Sequence, residues 1–350
     1  MAGGKEKKAV APADPGSDPS VLYNNYIRVC KHIGIEPSKS LLTSLNDESN
    51  PNRGTQIVIV GDEGDVLGPG GCRALVNAMI GDGATQQLFT ATKDLRILRS
   101  GIKDGGAFAI STLLFATARR KSIKAAAEGD VQPEWKIEII ELVDNDISAS
   151  GASAIGRGLS VGMNKSVVSL VLDFNRTLQS DGVAALCKGL ATNSTLKRLS
   201  LRHCEIDEKG GKPIANMLMF KKLGLISIDL TGNRLDAAGL VDICDGLRNN
   251  TSLKTIRLAE NSIGQSEEDL AALKIFADVL SINQSLIAVD LLHNKIGSAG
   301  GNVLLDSIKG NSRITEFKVD SEMDVELYNA LFKMSVKQND QKKKGSKKKK

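Results

Sequence analysis

The chain has 350 residues, of which 41% are hydrophobic and 3% aromatic, and its formal net charge is +5. This length exceeds what one compact core usually holds, so internal repetition is the first pattern to test. The sequence contains no run of about 18 apolar residues, and its five cysteines lack paired spacing, which argues against a membrane-spanning helix, a disulfide framework and a zinc site.

The first predicted elements precede the repetition. Residues 1–19 are polar and rich in proline, glycine and aspartate, which predicts a disordered N-terminal segment. Residues 20–50 contain two stretches with helical apolar spacing, separated by a break from Gly34 to Pro37. We predict that this second region is a helical N-terminal cap.

Residues 51–320 contain one pattern that returns about nine times. Its clearest copies read Leu-x-x-Leu-x-Leu-x-x-Asn/Cys-x-Ile/Leu-x-x-x-Gly, as in residues 196–210, 225–239 and 286–300. The last strand position of each copy falls at residues 59, 97, 142, 172, 201, 230, 258, 291 and 319. Apolar residues two positions apart predict a short strand with one buried face, and the spacing after each glycine predicts a helix.

Small and polar positions within the repeat also recur. The Asn or Cys three residues after the strand is expected to hydrogen-bond backbone groups of a buried turn. A second set of asparagines lies three residues before the next strand pattern, at Asn164, Asn193, Asn250, Asn283 and Asn311. We predict that these residues end helices in the left-handed conformation, and that the repeat glycine permits a tight start of each helix.

The repeats are followed by two further predicted elements. Residues 321–337 contain helical apolar spacing and are predicted to form a C-terminal cap helix, and residues 338–350 are predicted to form a disordered tail. The tail contains seven lysines, Lys342, Lys343, Lys344, Lys347, Lys348, Lys349 and Lys350, without which the formal net charge of +5 becomes −2. Such a tail suits contact with an acidic surface, but it lacks the aromatic residues of specific nucleic-acid binding.

The repeat resembles the ribonuclease-inhibitor-like class of leucine-rich repeats over about residues 55–320. This resemblance implies an α/β leucine-rich-repeat solenoid, a horseshoe of about nine repeats with parallel strands on the concave face and helices on the convex face. A shorter segment resembles the N-terminal module of leucine-rich-repeat proteins of cilia and flagella, such as subunits of the dynein regulatory complex. The residues that carry this second resemblance are Tyr23, Tyr26, Cys30, Gly34, Pro37 and Leu41.

The strand positions indicate which side chains line the concave face. The candidate partner-binding residues are Val60, Arg96, Leu98, Glu141, Val143, Arg202, Asp229, Arg257, Asp290 and Lys318. Three of them form an apolar strip in the first half (Val60, Leu98 and Val143), whereas charges alternate in the second half. One interpretation is a protein-contact surface with an apolar centre and a charged rim. The other is that the strip packs beneath the N-terminal cap or an insertion.

No spacing supports a catalytic constellation. His203 and His293 occupy equivalent turn positions, but they lie too many repeats apart to share a metal ion. The stretch from Gly68 to Gly71 lacks the third glycine of a dinucleotide-binding loop. We therefore predict that the protein is not an enzyme and has no catalytic, cofactor-binding or metal-binding residues.

The resemblance favours a non-enzymatic scaffold for protein–protein interaction. We predict a cytoplasmic location in a ciliary or flagellar axoneme or a similar cytoskeletal complex, with axonemal or microtubule-associated proteins as partners. The alternative is a regulator of a small GTPase, because Ran GTPase-activating proteins share this repeat class, although they end in an acidic tail. A ribonuclease inhibitor itself is disfavoured because that family is dense in cysteine.

Overall fold

The structure, a computed structural model, describes residues 17–81, 88–123, 136–160 and 162–332. Its nine strands are β1 (Gln56–Val60), β2 (Asp94–Leu98), β3 (Ile139–Glu141), β4 (Ser169–Val171), β5 (Arg198–Ser200), β6 (Ser227–Asp229), β7 (Thr255–Arg257), β8 (Ala288–Asp290) and β9 (Glu316–Lys318). Its helices are α1 (Pro19–Ile33), α2 (Lys39–Asn46), α3 (Gly68–Ile80), α4 (Lys103–Ile123), α5 (Ala149–Gly158), α6 (Gln179–Leu190), α7 (Gly211–Leu218), α8 (Asp236–Arg248), α9 (Glu267–Ile282) and α10 (Gly297–Gly310).

The strands form one open sheet in which every neighbouring pair is parallel and the spatial order is the chain order. A helix follows each of the first eight strands, from α3 after β1 to α10 after β8. This arrangement confirms the predicted α/β solenoid of about nine strand-and-helix units. The strands line its concave face and the helices its convex face.

One continuous apolar core runs between the sheet and the helices. In β1 the buried side chains Ile57 and Ile59 alternate with exposed ones, as a strand with a single buried face requires. Leucine and isoleucine repeat these inward positions in the later strands, and each unit packs against its neighbours in the stack. Removing a neighbour therefore exposes core, which is why the ends of such a stack need cover.

Helices α1 and α2 lie before the first strand and pack against α3 and β1. The Tyr26 side chain is fully buried, and its hydroxyl oxygen accepts a hydrogen bond from the Ser38 backbone N–H at 3.2 Å. The two helices match the two predicted from sequence, and their packing supports our proposal that they act as a cap.

At the other end of the stack, residues 325–332 are helical, with Leu327 and Leu331 buried. This helical stretch lies within the predicted C-terminal cap over residues 321–337. Most of the predicted N-terminal segment and the entire lysine-rich tail lie outside the described residues.

The repeat glycines serve close packing rather than a turn. Gly182 and Gly210 have no left-handed backbone, in contrast to what a tight turn would require. A Cβ on Gly182 would lie 2.7 Å from Leu178 Cγ, and one on Gly210 would lie 2.3 Å from Ile206 Cγ2. The glycine therefore makes room for the apolar side chain four residues earlier, which fills the core beneath the helix start.

All five cysteines are unpaired and buried. Burial raises the pKa of Cys72, Cys187, Cys204 and Cys244 to about 12 and also raises the pKa of Cys30. Since the thiolate is the reactive form, we expect iodoacetamide at neutral pH to label none of the five in the native protein and all five in urea. Mass spectrometry measures the label at each site. Rapid native labelling of any one would contradict the buried packing described here.

Candidate protein-binding face

Strand pairing aligns one residue of each strand in a row on the concave face: the central residue of β1 and β2 and the last residue of β3 to β9. The row contains Val58, Arg96, Glu141, Val171, Ser200, Asp229, Arg257, Asp290 and Lys318. A parallel row two residues later contains Val60, Leu98, Val143, Asp173, Arg202, Thr231, Ala259, Leu292 and Asp320. All ten candidate residues thus lie on one face, while their role in binding a partner stays a prediction.

The apolar strip, Val60, Leu98 and Val143, lies at the N-terminal end of this face. Val60 is 39% exposed and its neighbour Val58 is 46% exposed, whereas Leu98 and Val143 are half-buried. In the described part of the chain, Val60 is therefore accessible and not packed beneath α1 and α2, while most of the insertion over residues 117–133 lies outside the described residues. A contiguous exposed apolar surface of this kind is typical of a contact site.

Beside the strip, Arg96 is held by two carboxylates. Its Nε donates to Asp94 Oδ1 at 2.9 Å and its Nη2 to Asp94 Oδ2 at 2.8 Å, while Glu141 lies 3.7 Å away on the next strand. The hydrogen bonds to Asp94 hold the pKa of Arg96 above its usual value. This fork fixes the position of the guanidinium on the strand that also carries Leu98 of the apolar strip.

The centre of the face contains a buried carboxylate. Asp173 accepts hydrogen bonds from Ser200 Oγ at 2.6 Å and from the Arg202 backbone N–H at 3.0 Å. Burial raises the pKa of Asp173, and the neighbouring charge of Asp229 adds to the same effect. These contacts join the turn after β4 to β5 and to the turn that follows it. Asp173 therefore stabilises the face and is not a free charge on it.

The charges of the C-terminal half form pairs along and between strands. Arg257 lies 3.9 Å from Asp229, and Lys318 lies 3.8 Å from Asp290 and 2.8 Å from Glu316. The contact with Glu316 raises the pKa of Lys318. Because these charges already have partners, a bound protein gains little by pairing with them. The apolar strip offers the larger gain in free energy.

Sequence reasoning missed an exposed aromatic pair at the edge of the face. The rings of Phe174 and His203 are stacked with centroids 4.7 Å apart, and Phe174 is 40% exposed. Both residues directly precede the Asn/Cys position of their repeats, so the repeat frame alone could have indicated that they are neighbours.

Both members of this pair have left-handed backbones, with φ of +62° and +51°. Four other non-glycine residues share this position and conformation, namely Arg99, Asp144, Glu260 and His293. The conformation lets each backbone N–H continue the inter-strand ladder, as when Phe174 donates to the Arg202 carbonyl at 2.7 Å. The ladder thereby offsets a cost of roughly 1–2 kcal/mol per residue.

The inner asparagine ladder fixes the turns that follow the strands. It consists of the Asn/Cys positions Asn145, Asn175, Cys204, Asn233, Asn261 and Asn294, all of them buried. Asn175 Oδ1 accepts from the backbone N–H groups of Asn145 and Ile147, both at 3.0 Å. The predicted hydrogen bonding to buried backbone is thus confirmed, and it joins each repeat to the next.

The helix-end asparagines do not have the backbone conformation that we predicted. These residues are Asn164, Asn193, Asn250, Asn283 and Asn311. Asn283 and Asn311 have φ of −65° and −104°, so the predicted left-handed conformation is wrong. Instead, each side chain accepts from backbone N–H groups two and three residues later. Asn193, for example, accepts from Thr195 and Leu196 at 2.8 Å and 2.7 Å, and its amide donates to the Leu159 carbonyl of the preceding repeat.

The described residues contain neither a candidate membrane span nor a metal-binding cluster. No helix in those ranges is long and apolar enough to cross a membrane. No group of three or more His, Cys, Asp and Glu side chains there is arranged to hold a metal ion. His203 and His293, which follow β5 and β8, lie in separate units as the sequence predicted.

A parallel open sheet built from strand-and-helix units with asparagine ladders is the architecture of a leucine-rich-repeat solenoid. The sequence profile of the family described as "Leucine Rich repeat" matches residues 136–156 and 192–215. In the mouse, NACHT, LRR and PYD domains-containing protein 12 is 29% identical over 191 residues, which cover 54% of this chain and 17% of that protein. Mouse ribonuclease inhibitor is 29% identical over 189 residues, which cover 53% of this chain and 39% of the inhibitor.

A solved structure agrees at the level of the fold. The leucine-rich-repeat-containing protein LegL7 from Legionella pneumophila superposes with a TM-score of 0.50 at 15% identity, covering 93% of this chain and 96% of LegL7. Together with the repeat pattern, these similarities support a leucine-rich-repeat fold of the ribonuclease-inhibitor-like type. Leucine-rich-repeat proteins are typically interaction scaffolds. The chain spans well under half the length of both mouse relatives.

Proposed function

We propose that the chain is a non-enzymatic protein–protein interaction scaffold that holds its partner on the concave face. The observation that carries this proposal is the apolar strip, exposed at Val60 and half-buried at Leu98 and Val143, beside a face whose charges are mostly paired internally. Interfaces derive most of their affinity from a small buried apolar centre, and a polar rim excludes water around it.

The strip has the features that such a centre requires. Its side chains project from β1, β2 and the turn after β3, so backbone hydrogen bonds, including that from Arg99 N–H to the Val143 carbonyl, fix their positions before a partner arrives. Arg96 adds a guanidinium whose geometry is set by Asp94. A preformed site avoids the entropy cost of ordering side chains on binding.

Substituting Val60→Glu in the full chain should remove binding without unfolding the protein. The partner is captured by tagged protein from cells that produce the chain and is then titrated in purified form. We expect at least a tenfold loss of affinity, since a charge would be buried without a partner in the interface. Val325→Glu is the matched control because Val325 is 71% exposed and lies far along the chain from the strip.

Equal affinity of Val60→Glu and the unmodified chain would place the contact elsewhere. Stimulated GTP hydrolysis by a small GTPase in the presence of the purified chain would contradict the non-enzymatic scaffold and favour the GTPase-regulator alternative.

For the setting, we propose a cytoskeletal assembly, the axoneme of a cilium or flagellum, with axonemal or microtubule-associated proteins as partners. Two sequence features support this finer proposal. The segment from Tyr23 to Leu41 resembles the N-terminal module of ciliary leucine-rich-repeat proteins, and the lysines of residues 338–350 suit an acidic surface such as the tails of tubulin.

Localisation of a tagged full chain tests the axonemal setting. We expect a signal along the axoneme that survives detergent extraction, whereas a diffuse, extractable signal would contradict it.

Microtubule co-sedimentation with and without residues 338–350 tests the tail separately, and we expect pelleting that is lost in high salt and in the shortened chain.

A further inference from the structure

The connection between α7 and β6 departs from the rest of the stack. At the position of the helix-end asparagines it has Lys222, which is exposed, whereas those five asparagines are buried. A backbone hydrogen bond from Gly224 N–H to the Asn193 carbonyl, at 3.1 Å, joins this connection to the preceding repeat. The packing of the repeats therefore does not explain the lysine.

The same connection, which we call the 219–226 loop, exposes an unusual share of apolar surface. Met219, Phe220 and Ile226 are 44%, 49% and 43% exposed. They account for three of the eleven large apolar side chains that are exposed in the described part of the chain. Lys221 and Lys222, both exposed, lie between them in sequence. Apolar and basic groups thus share one short segment.

The loop is held in one shape by its own contacts. Phe220 N–H donates to the Met217 carbonyl at 3.2 Å, Leu223 N–H donates to the Phe220 carbonyl at 3.0 Å, and the Leu223 side chain is buried. Lys197 Nζ donates to the carbonyls of Ser194 and Gly224 at 2.9 Å and 3.2 Å. A loop anchored in this way presents its exposed side chains at little further cost in entropy.

The surroundings of the loop are basic. The connections of the repeats on either side, residues 191–197 and 249–254, contain Lys197 and Lys254 and no acidic residue, and the 219–226 loop contains none either. At the opposite edge of the sheet, residues 201–210 after β5 contain Glu205, Asp207 and Glu208 together with Arg202 and Lys209. The loop therefore lies in a stretch of edge whose connections carry only basic charges, whereas the stretch after β5 carries both signs.

We propose that the 219–226 loop binds an acidic segment of a partner protein that also carries apolar side chains. Lysines that alternate along the loop with exposed Met, Phe and Ile fit a segment in which carboxylates accompany an apolar anchor. The neighbouring connections expose Thr192 and Ser194 on one side and Asn249 and Thr251 on the other, so the apolar area is bounded and of peptide size. A nucleic acid would leave Met219 and Ile226 without a complement, because it binds through phosphates and stacked bases.

The probe for this proposal is a short synthetic peptide of alternating Glu-Glu and Leu-Leu pairs, labelled with a fluorophore and titrated with the full chain at low salt. We expect saturable binding that becomes at least tenfold weaker in the double variant Lys221→Glu, Lys222→Glu, and in Phe220→Ser. The matched control is Lys209→Glu, Lys295→Glu, which makes the same charge change with exposed lysines at the opposite edge and should bind as tightly as the unmodified chain. Thermal unfolding of each variant verifies that the fold is intact.

Several outcomes of these titrations would contradict binding of an acidic, apolar segment by the 219–226 loop. Absence of binding, equal weakening by the control pair, or unchanged binding of a peptide with Ser in place of Leu would each overturn the proposal. Tighter binding to single-stranded RNA or to phosphatidylserine vesicles would also overturn it by assigning the loop to another class of ligand. Because Val60 lies on the concave face, Val60→Glu should bind the peptide normally, so failure here is distinguishable from failure of the proposed scaffold function.

Discussion

Asn175→Ala should destabilise the protein by about 3–5 kcal/mol, one of the two largest effects that we expect from a single substitution. Its side chain accepts from two backbone N–H groups and donates to the carbonyls of Leu142 and Leu172 at 2.8 Å and 2.7 Å. Alanine leaves the two N–H groups and the Leu142 carbonyl buried without this partner, while the Leu172 carbonyl still accepts from Cys204 Sγ. Each unsatisfied group costs about 1–3 kcal/mol before water or local movement compensates. Urea unfolding measures the loss, and hydrogen exchange localises it to the turns after β3 and β4.

Two variants make this result specific. Asn302→Ala, at an exposed position of α10, should leave stability nearly unchanged. Asn175→Cys should cost less than the alanine variant, because Cys204 occupies the equivalent position in the next repeat, where its Sγ donates to the Leu172 carbonyl at 3.2 Å. Equal stability of the alanine variant and the unmodified chain would show that the ladder contributes nothing beyond the packing of the core.

The strand positions were predictable because burial on one face of a strand imposes a period of two. Leu199 and Leu201 around Ser200 repeat the pattern of Ile228 and Leu230 around Asp229, so alignment of the repeats gave the register that the sheet displays. Even the short last copy at Phe317 pairs as expected, with Val289. A repeated sequence carries this information many times, whereas a single strand carries it once.

Backbone conformation at the turns was not predictable by the same route. Phe174 and His203 adopt left-handed backbones that their side chains disfavour. A backbone hydrogen bond from each N–H to a carbonyl of the next repeat stabilises this conformation. For the helix-end asparagines the prediction was wrong in the opposite direction, because it assigned a left-handed backbone to residues that do not adopt one. Their general tolerance of the left-handed region suggested a cap, but a buried amide such as that of Asn193 gains more by bridging two repeats.

For the candidate site, the sequence indicated which residues share the face but not how they pair. Side-chain geometry across strands determines these pairings, and the sequence does not contain it. Arg96 contacts Asp94 as well as Glu141, and Asp173 is buried by its neighbours. The 219–226 loop was missed because apolar residues at the end of a helix usually turn inward. Lys222 at an asparagine position was the available signal, since a departure from a repeat marks a place where packing does not dictate the residue.

Gly189→Ala should lower the free energy of unfolding by about 3 kcal/mol through a different cause, the distance between two helices. A Cβ on Gly189 of α6 would lie 2.2 Å from the Gly156 carbonyl oxygen of α5, an overlap with backbone that no side-chain rotation relieves. The helices must move apart, and the core beneath them loosens. Thermal and urea unfolding measure the effect.

Gly70→Ala is the matched control for this substitution, because it makes the same change in a helix where the nearest atom to the new Cβ, Ile35 Cγ2, lies 3.7 Å away. Alanine favours a helix over glycine by up to about 1 kcal/mol, so this variant should be unchanged or more stable. Opposite signs for the two variants would show that close approach of adjacent repeats, and not helix propensity, selects glycine at position 189. Equal stabilisation by both would mean that the helices tolerate a wider spacing, and the curvature of the concave face would then not be fixed by this contact.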